Sequence, residues 1–128
     1  MSEHNLETVR RAVQAWRDGD VASATAFWDR EIEWISPPDD PDRLVVHGVE
    51  AAGDALTKWL STWDAYNYEL TELVAFDDDV LQAGRQVMDA RGAGVSSELF
   101  FVWTFHDGRA VRMRMFYHRD QALRAIGA

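Results

Sequence analysis

The chain has 128 residues, 47% of them hydrophobic, with 22 Asp plus Glu against 13 Lys plus Arg and a formal net charge of −9. That length and apolar content suit one domain with one core, expected over residues 1–128. So acidic a chain repels phosphate backbones, which excludes a nucleic-acid partner, and the absence of cysteine excludes disulfides, thiolate nucleophiles and cysteine zinc sites.

The N-terminus, Met1-Ser2-Glu3-His4-Asn5, shows neither a basic n-region nor an apolar h-region. No apolar run approaches the length of a membrane span, so a cytoplasmic chain with no membrane partner is expected. Leu6, Val9, Val13 and Trp16 recur at helical spacing, with Asn5 as N-cap and Gly19 as the stop. Asp20 then caps a short helix through Ala24, Phe27 and Trp28. Ile32 to Ile35 is β-prone and ends at Pro37-Pro38. Ser36 to Arg43, with Asp39, Asp40 and Asp42, reads as a loop, and Leu44 to Val46 as a brief extension. Gly48 opens a third helix whose apolar face is Val49, Ala52, Leu56, Trp59, Leu60 and Trp63.

The period then changes to two. Strands are predicted from Tyr66 to Phe76, Val80 to Arg91, Val95 to Phe105 and Ala110 to His118. Their turns are Asp77-Asp78-Asp79, Gly92-Ala93-Gly94 and the two-residue hairpin Asp107-Gly108. Asp120 to Ile126 forms a closing helix. Helices segregated onto one face of an antiparallel meander make an α+β fold.

Val102-Trp103-Thr104-Phe105-His106-Asp107-Gly108-Arg109-Ala110-Val111-Arg112, followed by Tyr117, Arg119-Asp120, Ala122-Leu123 and Gly127, resembles the hairpin and tail of the SnoaL-like branch of the nuclear transport factor 2-like superfamily. Glu33-Trp34-Ile35, a loop, and Gly48-Val49-Glu50-Ala51 are similar to that family's entry into its third helix. The resemblance implies a cone: a curved sheet wrapped around three N-terminal helices, with an internal cavity and a short C-terminal helix. It says little about activity, because the fold hosts isomerases, cyclases, dehydratases, epoxide hydrolases and non-enzymes.

A tight Asp107-Gly108 turn sets Val102 opposite Met113, Phe100 opposite Met115 and Glu98 opposite Tyr117. In catalytic relatives the position seven residues after the hairpin glycine, here Met115, points into the cavity. The face holding Phe100, Val102, Met113 and Met115 is therefore expected inside, with Trp34, Trp59 and Trp63 on facing elements. The opposite face, Phe101, Trp103, Phe105, Arg112, Arg114 and Phe116, is expected to form a homodimer interface; inverted facing would make those aromatics core.

The resemblance also allows the family's catalytic positions to be tested. The cyclase and epoxide-hydrolase Asp is replaced by Met115, which cannot act as a general base. The isomerase base is replaced by Ser36 before Pro37, and the isomerase tyrosine by Ala12. Weak acid–base candidates remain in Glu98 and Tyr117, paired across strands, and in His47 before the third helix. Each also has a bland reading as a rim or surface group. Glu72 sits in apolar register and needs a cation, Arg85 or Arg91, or a bulge that turns it outward. Arg85 is carried as a ligand-binding candidate, and Asp89-x-Arg91 has an epoxide-hydrolase-like pair in reversed order. Neither the three adjacent Asp nor the scattered His4, His106 and His118 have metal-ligand spacing, so no metal or cofactor is expected. The chain thus reads as a binder of a small apolar molecule. The alternatives are a cyclase, isomerase or dehydratase working by acid–base chemistry, and a dimeric partner-binding module.

Overall fold

The computed structural model describes residues 2–41 and 43–127, so the loop carboxylate Asp42 lies outside the described residues. Helix α1 (Ser2–Arg17) starts before the expected cap, and Asn5 is a buried position within it. Gly19, at φ 79°, turns the chain so that the Asp20 amide donates to the Ala15 carbonyl at 2.9 Å. The Asp20 carboxylate then accepts from the Ser23 amide at 3.1 Å and caps α2 (Val21–Thr25).

That helix stops short of the expected Phe27 and Trp28. The Phe27 carbonyl instead accepts from the Ala110 amide at 3.0 Å, and Trp28 opens strand β1 (Trp28–Ile35). Pairing with a strand some eighty residues away satisfies the backbone and buries both rings, which outweighs a local helical period. Strand β2 (Val45–His47) returns antiparallel to β1, and Gly48 at φ 98° leads into α3 (Val49–Ser61). Four long strands follow: β3 (Ala65–Phe76), β4 (Asp79–Ala90), β5 (Ala93–His106) and β6 (Arg109–Phe116). Helix α4 (Arg119–Ala125) closes the chain.

The six strands form one sheet in the order β2-β1-β6-β5-β4-β3, antiparallel except between β1 and β6. The β4–β5 turn is Arg91-Gly92, at φ 54° and 79°, rather than Gly92-Ala93-Gly94. Asp107-Gly108, at φ 50° and 78°, forms the two-residue hairpin, with His106 opposite Arg109.

Beyond that turn the register departs from a simple ladder. Phe105 pairs with Ala110 but Thr104 pairs with Arg112, which leaves Val111 as an extra residue in β6. Trp103 is therefore opposite Met113 and Phe101 opposite Met115. A second bulge in β3 leaves Thr71 unpaired between Leu70 and Glu72.

The two sheet faces have separate cores. Trp103, Phe105 and Met113 pack with Val9, Val13, Ile32, Trp34 and Ala52 against the helices. On the other face Phe100, Val102, Leu81 and Ala83 are covered by Ala122 of α4. This is an α+β fold, a curved six-stranded sheet with its longer helices on the concave side.

Candidate functional site

A pocket of about 110 Å³ lies between the concave face and the helices. Helix α1 supplies Ala12, Val13 and Trp16, α2 with the following turn supplies Ala24, Thr25 and Phe27, and α3 supplies Leu56. The sheet supplies Trp28 and Trp34 from β1, Tyr66 and Tyr68 from β3, Gln82 from β4, Phe101 and Trp103 from β5, and Met113 from β6. Much of the wall is a run of touching rings. Phe27 meets Trp103 edge-on at 4.9 Å, Trp103 stacks on Phe101 at 6.0 Å, and Phe101 meets Tyr68 edge-on at 5.9 Å.

Alternation along β4 places Gln82 and Gln86 inward, both buried. The Trp103 indole donates to Gln82 Oε1 at 2.9 Å, which orients that amide. Tyr66 donates to Gln86 Oε1 at 3.0 Å, and Gln86 Nε2 donates to Ser97 Oγ at 2.9 Å. Burial pushes the Tyr66 phenol up to about 12, partly offset by the Trp59 indole beside it. Burial raises Tyr68 further; Gln82 lies beside its hydroxyl and favours the phenolate, yet no hydrogen bond closes on that oxygen. Trp28 Nε1 is likewise buried without a partner.

The bulge at Val111 redistributes the expected inventory. Trp34 and Met113 line the pocket, and Met115 packs partly buried on the concave core. Phe100 and Val102 do not face inward: they lie on the convex face beneath α4. Phe101, Trp103 and Phe105, expected on an outward dimer face, are packed on the concave side, and only Arg112, Arg114 and Phe116 of that set remain convex. Trp59 and Trp63 meet edge-on at 5.4 Å outside the lining set. Arg85 is exposed on the convex face, where it donates to Ser96 Oγ at 3.0 Å.

Of the acid–base candidates, Glu98 is exposed on the convex face opposite Arg85, and the register that sets Phe100 opposite Phe116 takes it out of the expected cross-strand pairing with Tyr117. His47 is exposed at the end of β2 and paired with Glu31 at 2.9 Å. Tyr117 is half-buried; burial first, and then Asp40, raises its phenol. The Thr71 bulge turns Glu72 onto the convex face, where its partner is Arg119 of α4 rather than Arg85 or Arg91. The backbones of Asp89 and Arg91 are both tied to Asp64: the Arg91 amide donates to Asp64 Oδ2 at 2.8 Å, and the Asp89 carbonyl accepts from the Asp64 amide at 2.8 Å. Ser36 Oγ accepts from the Leu44 amide at 2.6 Å, which ties it into the loop closure. Trp16, Phe27, Trp28, Tyr66, Tyr68 and Gln82 were not anticipated. Trp16 showed in the sequence only as an apolar position of a helical period and Tyr66 and Tyr68 as alternating positions of a strand, while Phe27 and Trp28 fell in the expected second helix, so nothing local joined them with Gln82 around one pocket.

The profile of the SnoaL-like domain matches residues 9–113. The chain belongs to the SnoaL-like family. No curated protein matches this SnoaL-like chain. Solved structures that it resembles include an NTF2-like protein of unknown function from Burkholderia pseudomallei, at 19% identity and TM-score 0.80, covering 98% of each chain. TerC, co-crystallised with polyporic acid, matches at 19% identity and TM-score 0.78, covering 98% of this chain and 99% of TerC. A putative SnoaL-like polyketide cyclase from Jannaschia sp. CCS1 matches at 19% identity and TM-score 0.77, covering 99% and 94%. At such identities the likeness shows a shared nuclear transport factor 2-like fold. Among the described residues, this SnoaL-like chain has no helix long and apolar enough to cross a membrane and no cluster of three His, Asp or Glu able to hold a metal ion.

Proposed function

We propose that this SnoaL-like chain binds a small, largely apolar molecule in the pocket beneath α1 and α2. The observation that carries this is the lining itself: fifteen residues, rich in aromatic rings, with no Asp, Glu, His, Lys or Arg among them. Such a wall favours burial of apolar surface and lacks a group poised to accept a proton at neutral pH. The co-crystallisation of TerC with polyporic acid is in keeping with small organic ligands in this fold.

The test is intrinsic fluorescence. Trp16, Trp28, Trp34 and Trp103 all line the pocket, so a fragment set of one-ring hydrophobic molecules should include members that change tryptophan emission saturably. Substitution of Met113 by the larger Phe should weaken those members several-fold, because the extra volume enters a packed wall. If no fragment gives a saturable change, the proposal fails.

The alternative, an enzyme of the cyclase, isomerase or dehydratase kind, is supported by the phenols. All three phenols, Tyr66, Tyr68 and Tyr117, hold their protons well above neutral pH. Tyr68, which lines the pocket and closes no hydrogen bond within the protein, can donate one to developing negative charge, whereas the Tyr66 proton is taken by Gln86. It would require the substrate to supply its own base, or water to act as one.

A further inference from the structure

We propose that Tyr68 orients the ligand by donating a hydrogen bond, and that the ligand is a molecule of about one ring bearing a carbonyl-type acceptor oxygen. This rests on the reading that the pocket beneath α1 and α2 binds a small molecule.

Three observations converge on Tyr68. Its side chain is 5% exposed and lines the pocket, and its hydroxyl oxygen is buried without a hydrogen-bond partner. Buried hydroxyls are nearly always paired, so an orphan at a pocket wall marks a place where a ligand group is missing. The second lining group with unmet capacity is Trp28 Nε1, and an indole N–H can only donate. The unmet capacity of this wall therefore calls for an acceptor on the ligand.

The second observation is how the phenol is held. A Cβ at position 84 would lie 2.3 Å from both Tyr68 Cζ and its hydroxyl oxygen, and 2.5 Å from the Glu69 carbonyl. Gly84 thus leaves the space on the concave face of β4 that the Tyr68 ring occupies. Phe101 closes the ring edge-on from the next strand. A donor clamped in this way loses little freedom when a ligand arrives.

The third observation is the state of its neighbour. Gln82 Oε1 accepts from the Trp103 indole at 2.9 Å, and no hydrogen bond closes between this amide and the Tyr68 hydroxyl. Tyr68 therefore keeps its proton for the pocket. The size follows from the volume: about 110 Å³ is smaller than the roughly 150 Å³ cavity known to take benzene, which limits the enclosed part of a ligand to about one ring.

The test uses two probes that differ only at the acceptor, cyclopentanone and methylenecyclopentane, titrated by NMR into the full chain and into Tyr68→Phe. Loss of one neutral hydrogen bond should weaken the ketone roughly three- to tenfold in Tyr68→Phe while the alkene is unaffected. The carbonyl ¹³C resonance of bound ketone should lie downfield of its position in an apolar solvent in the wild type, and that displacement should vanish in the variant. Should Tyr68→Phe fail to fold, the carbonyl shift in Trp28→Phe decides: a downfield displacement that persists there leaves Tyr68 as the donor, and one that vanishes assigns it to Trp28. If the ketone binds with no downfield displacement, or the variant weakens both probes equally, Tyr68 is not the donor and the pocket reading survives. If neither probe binds at all, the pocket reading falls and this inference falls with it.

Discussion

Tyr66 and Tyr68 stand two residues apart on the same face of β3, and each carries a phenol into an apolar wall. Tyr66 meets the desolvation by donating to Gln86, whereas the Tyr68 hydroxyl closes no bond within the protein. Both are acids whose charged form is disfavoured by burial, so their folded pKa values are raised. The linkage follows from that sign. Below pH 10, the ordinary phenol value, folded and unfolded chains both keep these protons. Above it the unfolded chain releases protons that the folded chain holds, so stability falls as pH rises from 10 toward the folded Tyr66 value of about 12. Near-ultraviolet absorbance on alkaline titration should show phenolate appearing late and together with loss of structure. Reversible titration of all three tyrosines near pH 10 in folded protein would contradict their burial.

Among the elements, β5 and β6 decide the site. A single unpaired residue, Val111, moves Met113 from a position opposite Val102 to one opposite Trp103. It thereby sends Trp103 and Phe101 to the concave side and Phe100 and Val102 to the convex side. The bulge lies where β6 also meets β1, whose own ladder shifts between Trp28 and Glu33. One strand thus accommodates an antiparallel neighbour on one edge and a parallel neighbour on the other. The consequence can be measured at Trp103, which is 7% exposed and anchored to Gln82. Trp103→Glu should lose at least about 3 kcal/mol by denaturant midpoint, because it both empties an aromatic site and buries a carboxylate with no cation near it in the pocket lining. A stable, folded monomer would instead indicate that Trp103 faces outward.

At the scale of the molecule, the convex face is held together by a buried carboxylate. Asp79 is 5% exposed; its Oδ1 accepts from Thr104 Oγ1 at 2.7 Å and its Oδ2 from the Gly127 amide at 2.8 Å, with Arg114 at 3.8 Å. One side chain at the start of β4 thus joins β5, β6 and the end of the chain. The Arg119–Glu72 pair fastens the other end of α4 to β3. Asp79→Ala should cost roughly 2–4 kcal/mol, since it strands two donors, Thr104 Oγ1 and the Gly127 amide, and leaves the largely buried Arg114 guanidinium with Glu33 as its nearby carboxylate. Hydrogen exchange should show α4 amides losing protection before those of β4 and β5. Uniform loss, or none, would mean that Asp79 does not tether this helix.

The amino-acid order by itself carried the number, type and approximate bounds of nearly every element. Helical and strand periods, the Gly19 stop, the Asp20 cap and the Asp107-Gly108 turn are local signals set by residues a few positions apart. It also carried the absence of a carboxylate at two family positions, Ser36 and Met115, and of a tyrosine at a third, Ala12, because residue type needs no geometry. What only the tertiary structure decided was facing. A strand's side chains alternate with a period of two, so one bulged residue inverts every assignment beyond it, and nothing local to Ala110-Val111-Arg112 announces the bulge. The early end of α2 is of the same kind, since Phe27 and Trp28 answer to a partner strand rather than to their neighbours in sequence. The pocket is where these long-range choices meet, and so its lining emerges only from the packed sheet.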